Sequence, residues 1–300
     1  MIQNYDISGH WTTDPIYIGN TTVHFVIDDC VLWESSTYDW PYVTASGITL
    51  NNVSNGVVTD SNIADVSYDI TLLDCDMITI DSNVLRCSGD AIMLLDSEHA
   101  TIIDNDFAYS QRGVQVEGSD NSTISNNTFL THSEYCIVLG YANNNTIIDN
   151  SFDDCNSQIA MEIANDNIIR NCSFSDGKNA IQMAGANRNA IVGNSFATSI
   201  TLVAVQIYEG INNSVKDNSF GPSWYGLSAE LADGTIARNN TCPNNVVGIY
   251  VKESDNVTIE ENTCIDNSKG IMLEDSWYSS VKGNNVTQCA RGIELMYVQY

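Results

Sequence analysis

Acidic residues recur at one place in a repeating sequence pattern, and this regularity is the first feature with the chemistry to hold a metal ion. Three residues before a recurrent phenylalanine position, the chain carries Asp28, Asp60, Asp104, Asp149, Asp217 and Glu261. Carboxylate oxygens are the ligands that Ca²⁺ prefers in proteins. Such a column could bind Ca²⁺, but one acid per repeat is also typical of an ordinary solvated face. We favour the solvated face and predict no cofactor.

Catalytic chemistry has less support in the sequence. Solenoid proteins that degrade polysaccharides use clustered carboxylates, or an Arg or Lys base beside an acid. Asp74 and Asp76 flank a cysteine, and adjacent acids occur at 153–154 and 260–261. The arginines and the four histidines, however, fall at different places in the repeat. We therefore assign no catalytic residue, interpret the acid pairs as surface residues, and favour a protein without enzymatic activity.

Aromatic residues cluster where the repeat is interrupted. Residues 32–45, LWESSTYDWPYVTA, carry Trp33, Tyr38, Trp40 and Tyr42. Because exposed aromatic rings stack on sugars or dock onto partners, this loop is predicted to bind carbohydrate or another protein. The alternative is that the rings fold back and cover the side or end of the fold. Further aromatics follow at 222–225 and 277–278, and the sequence does not place them on a shared face.

Asparagine and cysteine supply two more groups of candidates. Ten N-x-S/T sequons occur, and four of them share one place in the repeat: Asn121, Asn144, Asn212 and Asn256. These four are predicted glycosylation sites on an extracellular surface. The nine cysteines form no CxxC motif. Cys242 and Cys264 share one interior place on adjacent repeats, where core thiols are favoured over a disulfide bond.

The elements that position these residues follow from the repeat itself. A Gly-Ile-x-Leu-like segment recurs, mostly every 22 residues, with its first large apolar residue at Ile16, Ile48, Ile70, Ile92, Val114, Ile137, Ile159, Ile181, Val205, Leu227, Ile249, Ile271 and Ile293. A second apolar residue follows ten positions later, and a third, often Phe, five positions after that. In the first complete repeat these fall at Val26 and Val31, with Asp29 two before the third.

An asparagine precedes the third apolar residue by two positions in most repeats. These residues are Asn83, Asn105, Asn127, Asn150, Asn194, Asn218, Asn240, Asn262 and Asn284. Ser61 and Cys172 are the exceptions. Asparagine tolerates a sharp left-handed turn, and stacked amides can hydrogen-bond along a column, so the pattern predicts an internal asparagine ladder.

Each short segment alternates apolar with polar residues, which is the period of a β-strand. A unit of about 22 residues cannot bury its own apolar face, but copies stacked about 4.8 Å apart can. The sequence therefore predicts an all-β, single-stranded parallel β-helix of about 13 turns. Residues 1–15 would form a half-turn and lead-in, and residues 16–300 the β-helix itself, with the insertion at 32–45.

Units such as GVQVEGSDNSTISNNTF (113–129) and GIYVKESDNVTIEENTC (248–264) resemble the right-handed parallel β-helix repeat family. That family includes the NosD-like repeats of archaeal and bacterial surface proteins, and the resemblance covers residues 16–300. It implies the fold and the right-handed winding, but little about function, because β-helix proteins include carbohydrate-active enzymes and surface proteins. It also implies copper handling, for which this chain has no His, Met and Cys cluster.

Composition limits the partners. The net charge is −27, with only 11 Lys+Arg against 38 Asp+Glu. Nucleic-acid binding requires a basic track, so it is excluded, and an anionic membrane surface is disfavoured. The sequence contains no run of 18 apolar residues, so no membrane insertion is expected.

The two ends of the chain predict self-association. Ile2, Tyr5 and Ile7 match the second half of a turn. A first half without its partner contains Ile293, Leu295 and Tyr297. Copies stacked head to tail would complete both halves and build a filament, because a heterologous contact that does not close is open-ended. The alternative is that the chain is part of a longer repeat protein.

The function expected from the sequence is that of an extracellular structural or adhesive β-solenoid from an archaeal-type cell surface, with head-to-tail assembly into a filament or layer as its expected form. The alternative function is a polysaccharide-binding or polysaccharide-degrading β-helix protein. Surface glycans are the other expected partners.

Overall fold

A computed structural model describes residues 1–9, 14–34, 45–197 and 200–298. In these ranges all regular structure is strand, and the chain is a parallel β-solenoid of about 13 turns, which confirms the predicted fold class. It forms two compact units, Met1–Ser151 and Phe152–Tyr300, described separately below. No described segment is a helix long and apolar enough to cross a membrane.

Each turn contributes up to three strands, which we call the long, short and third strands. In the first unit the long strands are Ile16–Thr21, Ser46–Val53, Tyr68–Leu73, Asp90–Leu95, Arg112–Glu117 and Tyr135–Gly140. The short strands are Ile2–Gln3, Phe25–Asp28, Gly56–Thr59, Thr79–Asp81, Thr101–Ile103, Thr123–Ser125 and Thr146–Ile148. The third strands are Asp6–Gly9, Val31–Glu34, Asn62–Ala64, Val84–Arg86, Asp106–Ala108 and Thr128–Leu130.

The second unit repeats this arrangement. Its long strands are Ser151–Glu162 (which begins one residue before the unit), Ser173–Ala184, Ile200–Tyr208, Tyr225–Glu230, Val247–Lys252, Lys269–Glu274 and Arg291–Met296. Its short strands are Ile168–Arg170, Ala190–Val192, Ser214–Lys216, Ile236–Arg238, Thr258–Glu260 and Ser280–Lys282. Separate third strands are Ser195–Phe196, Ser219–Phe220, Thr241–Pro243, Thr263–Ile265 and Asn285–Thr287.

The core consists of columns of equivalent apolar residues. Ile80, Ile102 and Ile124 are register partners on successive short strands and are almost fully buried. Phenylalanine rings stack in each unit, with centroids 4.5 Å apart for Phe107 and Phe129 and 4.7 Å apart for Phe174 and Phe196. The 22-residue spacing sets this arrangement, since one turn of chain returns each apolar residue to the same place beside its copy.

The asparagine column forms a hydrogen-bonded ladder. In the first unit Nδ2 of Asn105 donates to Oδ1 of Asn127 at 3.0 Å, and Nδ2 of Asn127 donates to Oδ1 of Asn150 at 3.1 Å. In the second unit Asn194, Asn218, Asn240, Asn262 and Asn284 are linked in the same way. Each amide also donates to backbone carbonyls, so the ladder satisfies polar groups at the inner corner that have no access to water.

Most full turns in the described ranges contain four residues with left-handed backbone conformations. In one turn these are Asp96, His99, Asp104 and Tyr109, with φ between 49° and 62°. Asn and Asp tolerate this conformation better than other non-glycine residues. The acids and asparagines that recur at turn positions, Asp60, Asp104, Asn126 and Asp149 among them, are therefore explained by the geometry of the corners.

The expected register is wrong by one residue in the first turn. Ile27 pairs with Val58, and Leu32 pairs with Ile63, so Ile27 and Leu32 are the buried core residues rather than Val26 and Val31. Cys30 occupies the ladder position, because its N–H donates to Oγ of Ser61. Asp29 is then the left-handed corner residue, and Asp28 pairs with Thr59. The alternation of apolar residues over 25–32 fits both registers, and only burial distinguishes them.

Candidate functional site

The outer face of the long strands in the second unit carries a pair of tyrosines. Tyr225 and Tyr250 lie on adjacent strands, and their ring centroids are 5.4 Å apart with planes inclined by 29°. Both rings are partly exposed. Ser228, the register partner of Tyr250, lies on the same face and is covered from solvent. The two rings stack on each other, so they form a platform whose outer ring faces, rather than the faces between the rings, could contact a flat apolar surface such as a sugar ring.

A glycine column holds the strands beneath this platform close together. Gly226, Gly248 and Gly270 occupy one inward position on three successive long strands. A Cβ on Gly248 would lie 2.6 Å from the carbonyl oxygen of Gly270 and 3.2 Å from Sγ of Cys264. The position therefore requires glycine because backbone and core atoms approach it closely.

Carboxylates flank the platform. Glu230 and Glu274 are both register partners of Lys252, so they lie on either side of the strand that carries Tyr250. The Tyr250 hydroxyl donates to Oε2 of Glu274 at 3.2 Å, and the Ser228 hydroxyl donates to Oε1 of Glu230 at 3.3 Å. Burial and the adjacent Glu274 raise the pKa of Tyr250, so its hydroxyl remains a hydrogen-bond donor at neutral pH.

Two basic residues of the same face form ion pairs with one acid. Lys269 and Arg291 are register partners, and both form ion pairs with Glu294: Nζ of Lys269 lies 2.9 Å from Oε2, and Nη1 of Arg291 donates to Oε1 at 2.6 Å. The pKa of Glu294 is lowered, first by its hydrogen bond with Lys269. Nζ of Lys269 also lies 3.1 Å from Sδ of Met272, which packs against its side chain.

Amide groups continue the polar surface on earlier strands of the second unit. Oγ of Ser157 donates to Oε1 of Gln182 at 2.8 Å, and Nε2 of Gln182 donates to Oε1 of Gln206 at 3.2 Å. Gln206 is the register partner of Ser228, next to the tyrosine pair. The amides, the tyrosine platform and the carboxylates therefore form a polar surface across successive long strands, with groups that can hydrogen-bond to hydroxyls.

The first unit carries an ion pair on its own outer face. Tyr68, Asp90, Arg112 and Tyr135 are successive register partners. Nε of Arg112 donates to Asp90 at 2.5 Å, and the Asp90 side chain is only 3% exposed. Burial raises the pKa of Asp90, and Arg112 opposes this rise. Arg112 thus neutralises a nearly buried carboxylate, and we interpret this ion pair as part of the structure of the fold.

Buried polar groups of the first unit are not part of any surface. Ser88 donates to the fully buried Asp69, whose pKa burial raises well above its usual value. His132 is buried beside Phe129, and burial lowers its pKa to about 4. Both side chains point inward, at positions that apolar or small residues occupy in other turns.

Trp33 is on the third strand Val31–Glu34, and its side chain is 41% exposed. Tyr38, Trp40 and Tyr42, the other aromatics predicted to bind carbohydrate or a partner, lie outside the described residues. Trp33 pairs with Ser8 and Ala64 on neighbouring strands. The described part of the predicted loop therefore supplies a single exposed ring.

The residues predicted to stack copies lie on, or directly beside, the first two described strands and the last one. Ile2 pairs with Ile27, and Ile7 pairs with Leu32, so both occupy core columns. Tyr5 is 57% exposed and Tyr297 is 79% exposed. Ile293 and Leu295 are also in core columns, yet they are 51% and 44% exposed and line a concavity of about 480 Å³ with Leu273, Val281 and Val298.

The sequon asparagines are all exposed, including the four predicted glycosylation sites. Nine of the ten are left-handed corner residues with φ between 51° and 57°, whereas Asn285 lies in a strand. The local fold accounts for the motif: in Asn239–Asn240–Thr241 a corner residue precedes a ladder asparagine and a strand threonine. The abundance of sequons thus follows from the repeat, and glycan occupancy remains a prediction.

A second asparagine ladder was not expected from the sequence. The N–H of Asn167 donates to Oδ1 of Asn189, and the N–H of Asn189 donates to Oδ1 of Asn213, each at 2.8 Å. The signal was present in the pairs at 144–145 and 212–213, where the second asparagine of each pair is buried. This column supports the corner after the long strand, as the first ladder supports the corner after the short strand.

Comparisons with known proteins follow this geometry. A family model described as "Periplasmic copper-binding protein (NosD)" matches residues 12–206 and 198–300. Among curated proteins, none is significantly similar in sequence.

Several solved structures share the fold. The A-module of mannuronan C-5 epimerase AlgE4 from Azotobacter vinelandii is 12% identical, with a TM-score of 0.67 over 91% of this chain and 88% of the other. The surface protein and adhesin PfbA of Streptococcus pneumoniae is 15% identical, with a TM-score of 0.57 over 93% and 91%. DFA-IIIase from Arthrobacter chlorophenolicus A6 is 15% identical, with a TM-score of 0.54 over 66% and 56%.

Copper, which the family description implies, does not fit the residues present. In residues 1–9, 14–34, 45–197 and 200–298 no three His, Cys, Asp or Glu side chains converge to hold a metal ion. Cys242 and Cys264 are register partners in the core of the second unit and are free thiols. The hydrogen bond with Cys264, followed by burial, raises the pKa of Cys242 well above its usual value, which disfavours the thiolate that copper binds.

Proposed function

The chain belongs to the NosD family of parallel β-helix proteins, and we propose that it is a protein of the cell envelope or cell surface that binds glycans along the outer face of its long strands. Its function is adhesive rather than catalytic. The tyrosine pair Tyr225–Tyr250 is the binding platform, and the adjoining carboxylates and amides bind sugar hydroxyls.

The tyrosine pair is the observation that carries this proposal. Two rings with centroids 5.4 Å apart are held on rigid, hydrogen-bonded strands, so little conformational entropy is lost when a flat ligand stacks on them. Sugar rings have apolar C–H faces and polar edges, and the site has the matching arrangement of rings with carboxylates at their sides.

Two further considerations support an envelope or surface glycan. The matching family is described as periplasmic, and one structural neighbour is a surface adhesin. Other neighbours are named as an epimerase of mannuronan and as an enzyme bound to GF2. At 15% identity or less these likenesses show the fold, and only the tyrosine face argues for glycan binding by this chain.

Affinity electrophoresis against a panel of soluble polysaccharides tests the proposal. The native chain should be retarded by at least one of them, and Tyr225→Ala and Tyr250→Ala should each weaken binding about tenfold, the loss expected for one stacking ring. Tyr278→Ala is the matched control, because Tyr278 is 67% exposed but lies at a corner of the fold. Equal weakening by all three substitutions, or no binding to any glycan, would refute the proposal.

A structural role in a head-to-tail assembly is the second candidate. Ile293 and Leu295 are in core columns, but about half of each side chain is exposed. A further turn of β-helix would bury them, and the half-turn containing Ile2 and Ile7 of a second copy has suitable core residues for that place. Copies joined in this way would extend into filaments.

Electron microscopy and light scattering of the purified protein test this second candidate. Filaments, or mass that rises with concentration, should be abolished by Ile293→Asp and Leu295→Asp together. Val246→Asp is the control, since Val246 is 41% exposed on another part of the second unit. Monomeric particles at every concentration would contradict head-to-tail assembly and leave the glycan-binding proposal untouched.

A further inference from the structure

We infer that the tyrosine face of the second unit selects neutral, hydroxyl-rich glycans and rejects uronic-acid polymers. This inference rests on the proposed glycan binding and names the class of sugar that the face accepts. It follows from the charges that flank the platform.

Two carboxylates, with Lys252 between them, lie beside the two rings. Glu230 and Glu274 lie on the strands either side of Tyr250, and each uses one oxygen to accept a hydrogen bond from Ser228 or Tyr250. A carboxylate has further acceptor positions on both oxygens. Sugar hydroxyls can donate to these positions, and hydrogen bonds to a charged acceptor are about twice as strong as neutral ones. The carboxylate of a uronic acid has no proton to donate at neutral pH, and it is repelled.

Cations on the same strands are already neutralised. On the four long strands from Tyr225 to Met296, Lys252 pairs with Glu253 at 3.3 Å, and Lys269 and Arg291 both pair with Glu294. An anionic sugar would have to displace Glu294 to reach the last two. Recognition of carboxylate ligands normally uses a guanidinium fork that is free for bidentate bonding, and here Arg291 is engaged by the protein itself.

The charge of the whole unit acts in the same direction. Residues 152–300 contain nine Lys+Arg and 17 Asp+Glu, which gives 9 − 17 = −8. The field of such a surface slows the approach of polyanions and leaves neutral chains unaffected, with a range of about 8 Å at physiological ionic strength. Local carboxylates and overall charge therefore both disfavour uronates.

The inference separates this chain from a structural neighbour that shares its fold. The AlgE4 module is named for mannuronan, a uronic-acid polymer, and has a similar backbone. Because it is only 12% identical, the fold transfers but the surface charges do not. The side chains of this face, not the β-helix, decide which sugar it accepts.

Isothermal titration with matched oligosaccharides tests the inference. Neutral gluco-, manno- and xylo-oligosaccharides are compared with mannuronate and galacturonate oligomers of equal length, at 0.15 M salt, on the intact chain. The best neutral ligand should bind about tenfold or more tightly than either uronate. Glu230→Gln with Glu274→Gln keeps one acceptor oxygen at each position but removes the charge, and should reduce that ratio to about twofold or threefold. Asp233→Asn with Asp255→Asn, on a corner of the same unit, is the charge-matched control and should leave the ratio unchanged.

Each outcome decides between the claims. Tighter binding of a uronate overturns the neutral-glycan inference while glycan binding itself stands. An unchanged ratio in the Glu230/Glu274 variant also overturns the inference, since the carboxylates would not be the selecting groups. Absence of binding to every oligosaccharide, with Tyr225→Ala and Tyr250→Ala behaving as wild type, overturns the proposed function along with it.

Discussion

The asparagine ladder provides the sharpest prediction about stability, and Asn127 is the residue of choice. Its Nδ2 donates to the carbonyls of Ile102 and Ser125, each at 2.9 Å, and to Oδ1 of Asn150 at 3.1 Å. Its Oδ1 accepts from the N–H and from Nδ2 of Asn105, at 2.9 and 3.0 Å. Asn127→Ala removes all of these bonds inside a site that is 1% exposed.

The cost can be worked from these contacts. A buried donor left without a partner costs about 1–3 kcal/mol, and the N–H of Asn105 becomes such a donor. Loss of the remaining bonds adds about 1 kcal/mol each where the partner keeps another bond, as the Ser125 carbonyl does with the N–H of Asp104. Asn127→Ala should therefore lower the free energy of unfolding by about 3–5 kcal/mol.

Two comparison variants isolate the ladder from the corner. Asn127→Ser should cost only about 1–2 kcal/mol, because Ser61 in the same column accepts from Cys30 and donates to the carbonyl of Thr59. Asn126→Gly, at the adjacent exposed corner with φ of 53°, should change stability by less than about 0.5 kcal/mol.

Urea denaturation followed by circular dichroism measures the three variants, and hydrogen exchange at the amide of residue 105 locates the effect. If Asn127→Ala is no more destabilising than Asn126→Gly, the ladder does not stabilise the fold and the reasoning is wrong. The same conclusion follows if the amide of Asn105 exchanges no faster in the alanine variant.

Three further predictions concern the core and buried charges. Phe174→Ala should lower the free energy of unfolding by about 3–5 kcal/mol, and Phe174→Leu by less, because the ring is buried between Phe152 and Phe196. Denaturation midpoints measure both variants, and equal losses of stability would contradict the prediction. Arg112→Ala should lower the free energy of unfolding by about 3–5 kcal/mol at pH 7, because it leaves Asp90 buried and unpaired. Adding Asp90→Asn to this variant should recover much of the lost stability. If thermal unfolding shows no such recovery, the ion pair does not have this role. His132 has a pKa of about 4 in the folded protein against 6.5 in the unfolded chain, so the contribution of the neutral side chain to the free energy of unfolding is fully present above pH 6.5. That contribution should fall by about 3 kcal/mol as the pH drops to 4. The stability of the wild type relative to His132→Asn should shrink over this pH range, and a constant difference would refute the prediction.

Much of the fold could be predicted because the same spacing of apolar residues and asparagine recurs in most turns. The spacing of Ile102, Phe107 and Asn105 recurs at Ile124, Phe129 and Asn127, and a period of 22 residues with alternating polarity admits few structures other than a stacked β-helix. The one register error occurred in the first turn, where no preceding repeat fixes the phase and where residues 25–32 alternate ambiguously.

The candidate site was harder to predict, for a physical reason. Tyr225 and Tyr250 occupy different positions of their repeats, two before and one after the anchors Leu227 and Ile249, so they do not form a column in the sequence. Their rings meet only because long side chains on adjacent strands reach diagonal neighbours. Tyr250 faces outward by strand parity, but Tyr225 does not follow that parity, because it lies two before the buried anchor Leu227 and next to the buried Gly226. A count of outward positions from the sequence alone would therefore have missed Tyr225.

The turn residues show the opposite problem, a regular pattern with a local cause. Acids and asparagines at the place of Asp60, Asp104 and Asn126 have the spacing of a ligand column, yet all three have positive φ. Each is explained as a corner residue without reference to a ligand. Backbone conformation is not visible in a sequence read for charge, so the acid column, which the sequence left open as a calcium site, is also what the turns alone would produce.

The most direct test of the account is a crystal structure of the protein soaked with the oligosaccharide that it binds best. The account predicts a sugar ring stacked on Tyr225 and Tyr250, with its hydroxyls donating to Glu230 or Glu274. A sugar bound elsewhere, for example against Trp33, with the tyrosine face unoccupied, would contradict the central claim that this face recognises glycans.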